Sequence, residues 1–507
     1  MAPRRYFTAP VAAVIFSISG SVALADVTPQ QVWDDWESYL GLYGYGVEAT
    51  TSQAGGTLNV TGLKMTMAMP EDEGMLAITL PDIGFADNGD GTVSVLMPDL
   101  MPITITAGDD EGQTFETVLN YRTQGFTMIA SGDADQMAYD YKADTVTMEL
   151  GDMIVDGTPT EFGKASMTIS DLTGSSVTTT GDMRDLEQTF KSGTVAYVLD
   201  IVDPETNATM AAQGTMDSFE YAGSGTLPTD MDATDMAAML EAGFTMQGTM
   251  KIGPGNSAFA FEENGDSFKS VSTSQGGTLG LMMDATKLGY SGETRDMEMT
   301  LETSDLPFPV QFASQTLGFD LTMPVAKSDT PQDFSASITL SDVTMSEPIW
   351  ALFDPGQQLP RDPATVDIDL TGQARLMFDL LDPENAETME NLETPPAELN
   401  ALTLNNLTVR LAGAELTGQG DFTFDNSDLE SFGGMPAPLG GLDLRLVGGN
   451  GLLDKLVAMG LLPQDQASGA RMMMGLFARP GEGEDTLVSR IEVNEEGHVL
   501  ANGQRLK

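Results

Sequence analysis

The feature that most constrains this chain is a two-residue alternation of apolar and polar side chains, repeated in short runs along its length. The first two runs carry the apolar residues Leu63, Met65, Met67 and Met69, and then Leu76, Ile78 and Leu80. A period of two predicts half-buried β-strands, because successive side chains of a strand point to opposite faces. The same pattern recurs at 92–97, 145–150, 165–169, 194–199, 244–252, 297–301, 317–323, 334–340, 366–370, 402–411 and 415–424.

Turn residues separate these runs at short intervals. Asn88-Gly89 and Asp90-Gly91 supply the positive φ angles of a tight hairpin between two runs. Connecting helices of the length that parallel βαβ units require are missing between the runs. The sequence therefore predicts a mainly β fold, a long curved antiparallel β-meander with a few short capping helices.

Helical patterns are few. The clearest is an N-terminal helix over 28–42, with Thr28 as its N-cap and Pro29 in its first turn. Four more segments have helical periodicity: 232–242, 346–353, 451–462 and 464–478. We expect each to cover part of the sheet.

Domain boundaries are faint. Residues 26–381 form the predicted extended sheet region, and 399–507 form a C-terminal β module with helices 451–462 and 464–478. The segment 382–398 between them is rich in Glu, Asn and Pro, which indicates a loop or a boundary.

The first 25 residues have the pattern of a secretory signal peptide. Arg4 and Arg5 precede an apolar run at 9–18, and Ala23 and Ala25 form a small-x-small cleavage site before Asp26. The apolar run is shorter than the roughly 20 residues that a membrane span needs. We therefore expect export to the periplasm and no transmembrane span in the mature chain.

Composition excludes several classes of function. The 76 acidic and 23 basic residues give a net charge of −53, which argues against nucleic-acid binding. Cysteine is absent, which removes disulfides and thiolate sites, and His498 is the single histidine. We predict no metal, no cofactor and no catalytic residues, although two of the many carboxylates could meet as a glycosidase pair.

Methionine is abundant, with 33 residues, many of them at alternating strand positions. Its flexible, polarizable side chain fills irregular cores and also lines surfaces that accept varied apolar ligands. Both interpretations stay open for the first two runs. The groove hypothesis assigns a ligand-binding face to Leu63, Met65, Met67, Met69, Leu76, Ile78 and Leu80.

Several short phrases carry a family resemblance: those at 26–33, 348–355, 402–425, 438–446 and 496–506. They resemble an alphaproteobacterial family of exported proteins of unknown function, and more distantly the AsmA-like superfamily of envelope proteins. The resemblance implies a long curved antiparallel sheet whose concave apolar face can hold acyl chains.

These observations favour a non-enzymatic periplasmic envelope protein with an apolar β-groove for lipid or another amphiphile. One alternative is a structural β-scaffold that contacts an envelope protein. Another is a carboxylate-dependent hydrolase of envelope polysaccharide or lipid. An apolar sheet face that is open to solvent would favour the lipid-binding groove, and a closed face would favour the structural scaffold.

Overall fold

The computed structural model describes residues 26–69, 74–108, 114–161, 163–203, 206–229, 236–382, 385 and 396–507. Within these ranges the chain forms one large antiparallel sheet of 30 strands with a few short helices, so the predicted fold class is confirmed. The helices are α1 (Pro29–Leu42), α2 (Met236–Glu241), α3 (Glu347–Phe353), α4 (Gly449–Ala458) and α5 (Gln464–Phe477). None of them is long and apolar enough to cross a membrane.

The strands divide into three consecutive groups. The first group is β1 (Gly46–Ala54), β2 (Thr57–Ala68), β3 (Met75–Thr79), β4 (Ile83–Asp87), β5 (Val93–Leu96), β6 (Leu100–Gly108), β7 (Thr114–Gln124), β8 (Thr127–Gly132), β9 (Gln136–Val155), β10 (Thr158–Thr160) and β11 (Gly163–Thr180). The second is β12 (Met183–Ser192), β13 (Val195–Val202), β14 (Thr209–Met216), β15 (Phe219–Pro228), β16 (Thr245–Ile252), β17 (Gly255–Glu263), β18 (Asp266–Ser274), β19 (Gly277–Met283) and β20 (Lys287–Thr303). The third is β21 (Val310–Pro324), β22 (Gln332–Met345), β23 (Ala364–Leu376), β24 (Ala397–Leu411), β25 (Ala414–Asp425), β26 (Ala437–Val447), β27 (Arg479–Pro480), β28 (Thr486–Val493), β29 (Val499–Ala501) and β30 (Gln504–Arg505).

In the first two groups, long strands alternate with layers made of two short strands placed end to end. Strand β2 pairs with β1 on one side, and with both β3 and β4 on the other. The layers β6 with β5 and β7 with β8 follow, before the long strands β9 and β11. A second series of split layers runs from β13 with β12 to β18 with β19, and ends at β20.

The third group is a simple meander. From β20 to β26 each strand pairs with the next one along the chain, and β28 then pairs with β26. The short strands β27 and β29 lie along β28, which leaves little of its outer edge open. Short edge strands of this kind limit edge-to-edge pairing.

Helix α1 forms as the sequence predicts. The Thr28 hydroxyl accepts a hydrogen bond from the Gln31 backbone N–H, and the Gln31 side chain accepts one from the Thr28 N–H. This reciprocal arrangement is a capping box. The apolar side of α1 packs on the sheet through Trp33 and Trp36, whose rings lie 6.2 and 5.3 Å from that of Phe85.

Helix α4 differs from its predicted range of 451–462. It begins at Gly449, after Gly448 with a φ of 73°, and it is followed by Gly460 with a φ of 74°. The carboxylate of Asp485 accepts hydrogen bonds from the Gly451 N–H and the Asn450 side chain, both at 2.9 Å. The start of this helix is therefore fixed by a residue distant in sequence, which local periodicity does not reveal.

Two predicted segments lie outside the described residues. They are the signal peptide at 1–25, with Ala23 and Ala25 of its cleavage site, and most of the predicted loop at 382–398. Asp26, on the other side of that cleavage site, is the first described residue and is exposed.

Candidate functional site: an apolar face along the sheet

The strand register brings apolar side chains into continuous rows across the sheet. Directly paired residues of antiparallel strands point to the same face. One row consists of Phe190, Tyr221, Met250, Leu279, Gly292, Phe319, Ile338, Ile368, Leu407, Gly418 and Leu444. The neighbouring row consists of Leu281, Tyr290, Leu321, Ala336, Leu370, Leu404, Gly420, Leu442 and Ile491. We call the surface that these rows share the apolar face.

The glycines in these rows are covered by side chains of neighbouring strands. A Cβ atom on Gly292 would lie 2.6 Å from the Phe319 ring, and one on Gly418 would lie 2.6 Å from a methyl group of Leu444. The larger side chains therefore lie over the glycines, and the rows remain apolar where a side chain is missing.

In some long strands the two-residue alternation of apolar side chains is interrupted in the sequence. A residue with positive φ at the interruption keeps the apolar side chains on one face. At Gly62, with a φ of 64°, the pattern changes, and Val60 and Leu63 enter the same buried cluster although three positions separate them. At Asp171, with a φ of 50°, Ile169 and Leu172 are joined in the same way. One extra residue in a strand shifts the alternation of side chains in this way, as a β-bulge does.

Buried apolar residues form four separate clusters along this face. The largest lies under α1 and includes Val32, Val60, Phe85 and Val93. The second contains residues of α2 with Leu227, the third surrounds Val146, and the fourth joins Trp350 of α3 to Ala412. The helices thus cover separate parts of the face.

The residues of the predicted groove divide between a covered and a half-buried part of this face. Leu63 is 2 % exposed and lies in the cluster under α1, against which Leu80 also packs. The other residues are half-buried: Met65 is paired with Ile78, Met67 is paired with Leu76, and Met69 follows β2. The groove hypothesis stays a prediction for this half-buried part.

The most open part of the apolar face lies further along, on β19 to β22. Leu279, Tyr290, Phe319, Leu321 and Ile338 are neighbours in the two rows and are 38–49 % exposed. We call these five residues the open patch. Contiguous exposed apolar side chains of this kind mark binding surfaces in soluble proteins. The sequence predicted runs within β20, β21 and β22, but not β19, and not which part of the face the helices leave open.

The opposite face is polar. Two concavities of about 540 and 700 Å³ open on this side, lined mainly by Ser, Thr, Gln and Asp side chains over glycines such as Gly280 and Gly289. The resemblance had implied a concave apolar face, whereas these concavities belong to the polar one. Their floors are low because glycines carry no side chain to fill them.

A charged cluster lies where α1 meets the apolar face. Arg184 of β12 is 2 % exposed and donates a 2.7 Å hydrogen bond to Asp35 of α1, which also accepts one of 2.6 Å from the Tyr139 hydroxyl. Burial, followed by the negative charge of Asp35, raises the pKa of Tyr139 far above its usual value of 10.0. The ring of Tyr39 lies 5.2 Å from the Arg184 guanidinium. This cluster pins α1 to the sheet.

Carboxylates elsewhere hold loops. Asp354 is buried and accepts hydrogen bonds from the Gln358 and Leu359 backbone N–H groups and from Arg361. Burial alone would raise the pKa of Asp354, but these hydrogen bonds keep it below its usual value. Among the described residues, no group of three or more His, Asp or Glu side chains converges on a point that could hold a metal ion.

Comparison with known proteins gives one match. A family model described as "Uncharacterized protein conserved in bacteria (DUF2125)" matches residues 257–501, from β17 to the end of β29. Neither the curated proteins nor the solved structures contain a match. The matched segment contains the whole open patch, on β19 to β22, together with the meander and helices α3 to α5. Over about half of its length, the chain is therefore similar to an uncharacterized protein family conserved in bacteria.

Proposed function

We propose that this protein is a non-enzymatic periplasmic envelope protein that binds the acyl chain of a lipid or another amphiphile along its apolar face. The observation that carries the proposal is the open patch, where five large apolar side chains are adjacent and uncovered in the described structure. An acyl chain that lay across these strands would bury apolar surface, at about 25 cal/mol per Å² removed from water.

The direction of the rows also supports this ligand class. The rows run perpendicular to the strands, one across eleven strands and the other across nine, at about 4.8 Å per strand. A linear apolar chain matches such a surface better than a compact ring system does. Methionine and leucine side chains along the rows can adapt to chains of varied length and unsaturation.

The proposed location rests on the N-terminal pattern. A secretory signal peptide at 1–25 would deliver the mature chain to the periplasm, and the resemblance to exported and AsmA-like envelope proteins supports the same compartment. The acidic surface would keep a sheet with one apolar face soluble, since like charges oppose self-association.

The first experiment is native mass spectrometry of protein purified without detergent, together with titration by a dansyl-labelled fatty acid. We expect co-purified lipid or saturable binding of the probe. Phe319→Asp should weaken probe binding at least about tenfold, because a charge in the open patch must be desolvated by the acyl chain. The new carboxylate stays hydrated in the free protein, so the far-UV circular dichroism should not change.

Thr344→Asp is the matched control. Thr344 is exposed on β22, but its partner Ala313 and its position in the alternation put it on the polar face. This variant adds the same charge to the neighbouring strand, on the opposite face, and should bind the probe as the parent does. Equal binding by parent and Phe319→Asp, or repeated absence of lipid and of probe binding, would overturn the proposal.

A protein-interaction scaffold is the second candidate, and the edge strand β1 favours it. Among the described strands, β1 pairs only with β2, so the backbone groups along its other edge face outwards. An added strand from an envelope partner could pair there. A chain that bound a partner through β1 and failed to bind any acyl probe would support this function over the first.

A further inference from the structure

Helix α5 carries its large apolar side chains on the outside of the molecule. Met472, Met473 and Leu476 are 72, 49 and 49 % exposed, whereas the buried position of the helix is Ala467. Residues spaced three and four apart share one side of a helix, so these three side chains form one outward apolar tip. An amphipathic surface helix normally directs such side chains towards the core.

This orientation is fixed by contacts at both ends of the helical hairpin. Asp485 caps α4, and Arg471 of α5 forms an ion pair with Asp454 of α4. At the far end of α5, the carbonyl of Phe477 accepts hydrogen bonds from Ser489 at 2.6 Å and Asn502 at 2.9 Å. These contacts fix the orientation of the hairpin, and in this orientation the tip is exposed.

The hairpin also differs from the rest of the chain in charge. Residues 449–477, which form the hairpin, contain two basic residues (Lys455 and Arg471) and two acidic ones (Asp454 and Asp465), a net charge of 2 − 2 = 0. The full chain carries −53. At physiological salt, charges further away than about 8 Å are largely screened, so a surface near the tip responds mainly to these local charges.

Three observations favour a lipid surface as the occupant of the tip. Three side chains are far too few for the roughly 800 Å² per partner that a stable protein interface buries. A second copy of this chain would also bring a second charge of −53. A bilayer needs no complementary shape, and flexible apolar side chains flanked by Lys and Arg are typical of helices that insert into its interface.

We propose that the α4–α5 hairpin docks on the surface of a lipid bilayer, with Met472, Met473 and Leu476 inserted among the headgroups. This docking is distinct from acyl-chain binding on the open patch and does not depend on it. The margin of the apolar face reaches the base of the hairpin, since Leu446 lies against the backbone of Gly449. A docked hairpin would therefore hold one margin of the sheet at the membrane.

The test is flotation of the full chain with phosphatidylcholine vesicles at about 0.15 M salt. The variant Met472→Gln/Met473→Gln/Leu476→Gln removes the apolar tip, keeps good helix formers and adds no charge. We expect its partition onto vesicles to fall at least about tenfold, since each side chain loses the transfer of its apolar surface into the interface.

The matched control replaces three exposed apolar residues elsewhere, in Met75→Gln/Val198→Gln/Val271→Gln. It should bind vesicles within about twofold of the parent, and far-UV circular dichroism should be unchanged in both variants. Three results would overturn the proposal: no vesicle binding by the parent, an equal loss in the control, or a tip variant that changes the oligomeric state and not vesicle binding. Binding of the soluble dansyl fatty acid is measured in parallel, so that failure of the tip and failure of the open patch are told apart.

Discussion

The buried ion pair between Asp35 and Arg184 should be the most sensitive point in the attachment of α1. Replacing Asp35 with Asn removes the negative charge while nearly preserving the shape of the side chain. The Arg184 side chain is 3 % exposed and the Asp35 side chain 11 %, so neither is well hydrated. The Arg184 Nε already has no hydrogen-bond partner in the described structure.

The expected destabilisation follows from these contacts. Removing one partner of a buried ion pair costs about 3–5 kcal/mol, because the remaining charge stays buried and uncompensated. Against the about 5–15 kcal/mol that holds a typical domain folded, such a loss would detach α1 or unfold the region beneath it. In the triple variant Asp35→Leu/Arg184→Met/Tyr139→Phe, most of this stability should return, because no polar group is then left without a partner.

The assay is urea unfolding followed by tryptophan fluorescence. Trp33 and Trp36 both lie in α1 and contact Phe85, so their emission reports whether the helix remains on the sheet. We expect a large fall in the unfolding midpoint for Asp35→Asn and a midpoint near that of the parent for the triple variant. A loss below about 1 kcal/mol for Asp35→Asn would refute the reasoning, since only a hydrated, screened pair is that weak.

Two further predictions follow from the same face of the sheet. Met67 lies in the half-buried part of the predicted groove. If that part binds acyl chains, Met67→Asp should lose probe binding there and keep its far-UV spectrum. Unfolding of the variant would indicate a closed core, and unchanged probe binding would indicate an ordinary surface. Because the folded state raises the pKa of Tyr139, it holds this proton more tightly than the unfolded chain does, so the contribution of Tyr139 is complete below about pH 10 and is lost as the pH rises further. Tyr139→Phe should therefore reduce the fall of stability in alkaline urea titrations, and an unchanged alkaline limb would contradict this.

The strands with strict alternation and α1 could be predicted from sequence because their signals are local. Alternation of Leu63, Met65 and Met67 lies within one strand, and the capping box of α1 spans only Thr28 to Gln31. Gly62 illustrates the limit, since only its positive φ brings Val60 onto the side of Leu63.

The remaining features depend on contacts between distant residues. Asp485 determines the start of α4 from another loop, and Arg184 meets Asp35 from a strand far along the chain. The open patch is exposed because no helix of the described structure covers it. The placement of the helices cannot be predicted from the sequence of β19 to β22. The sequence therefore predicted apolar residues on one face of strands such as β21 and β22, but not which of them remain uncovered.

The openness of the apolar face is the central claim, and a single introduced cysteine tests it most directly. The chain contains no cysteine, so Phe319→Cys carries one thiol in the middle of the open patch. Thr344→Cys on the polar face and Val60→Cys, which is 0 % exposed, are the exposed and buried references. We predict that Phe319→Cys reacts with a thiol reagent nearly as fast as Thr344→Cys. A fatty acid should slow the reaction of Phe319→Cys but not that of Thr344→Cys. Reaction as slow as that of Val60→Cys, or no protection by the fatty acid, would contradict the account.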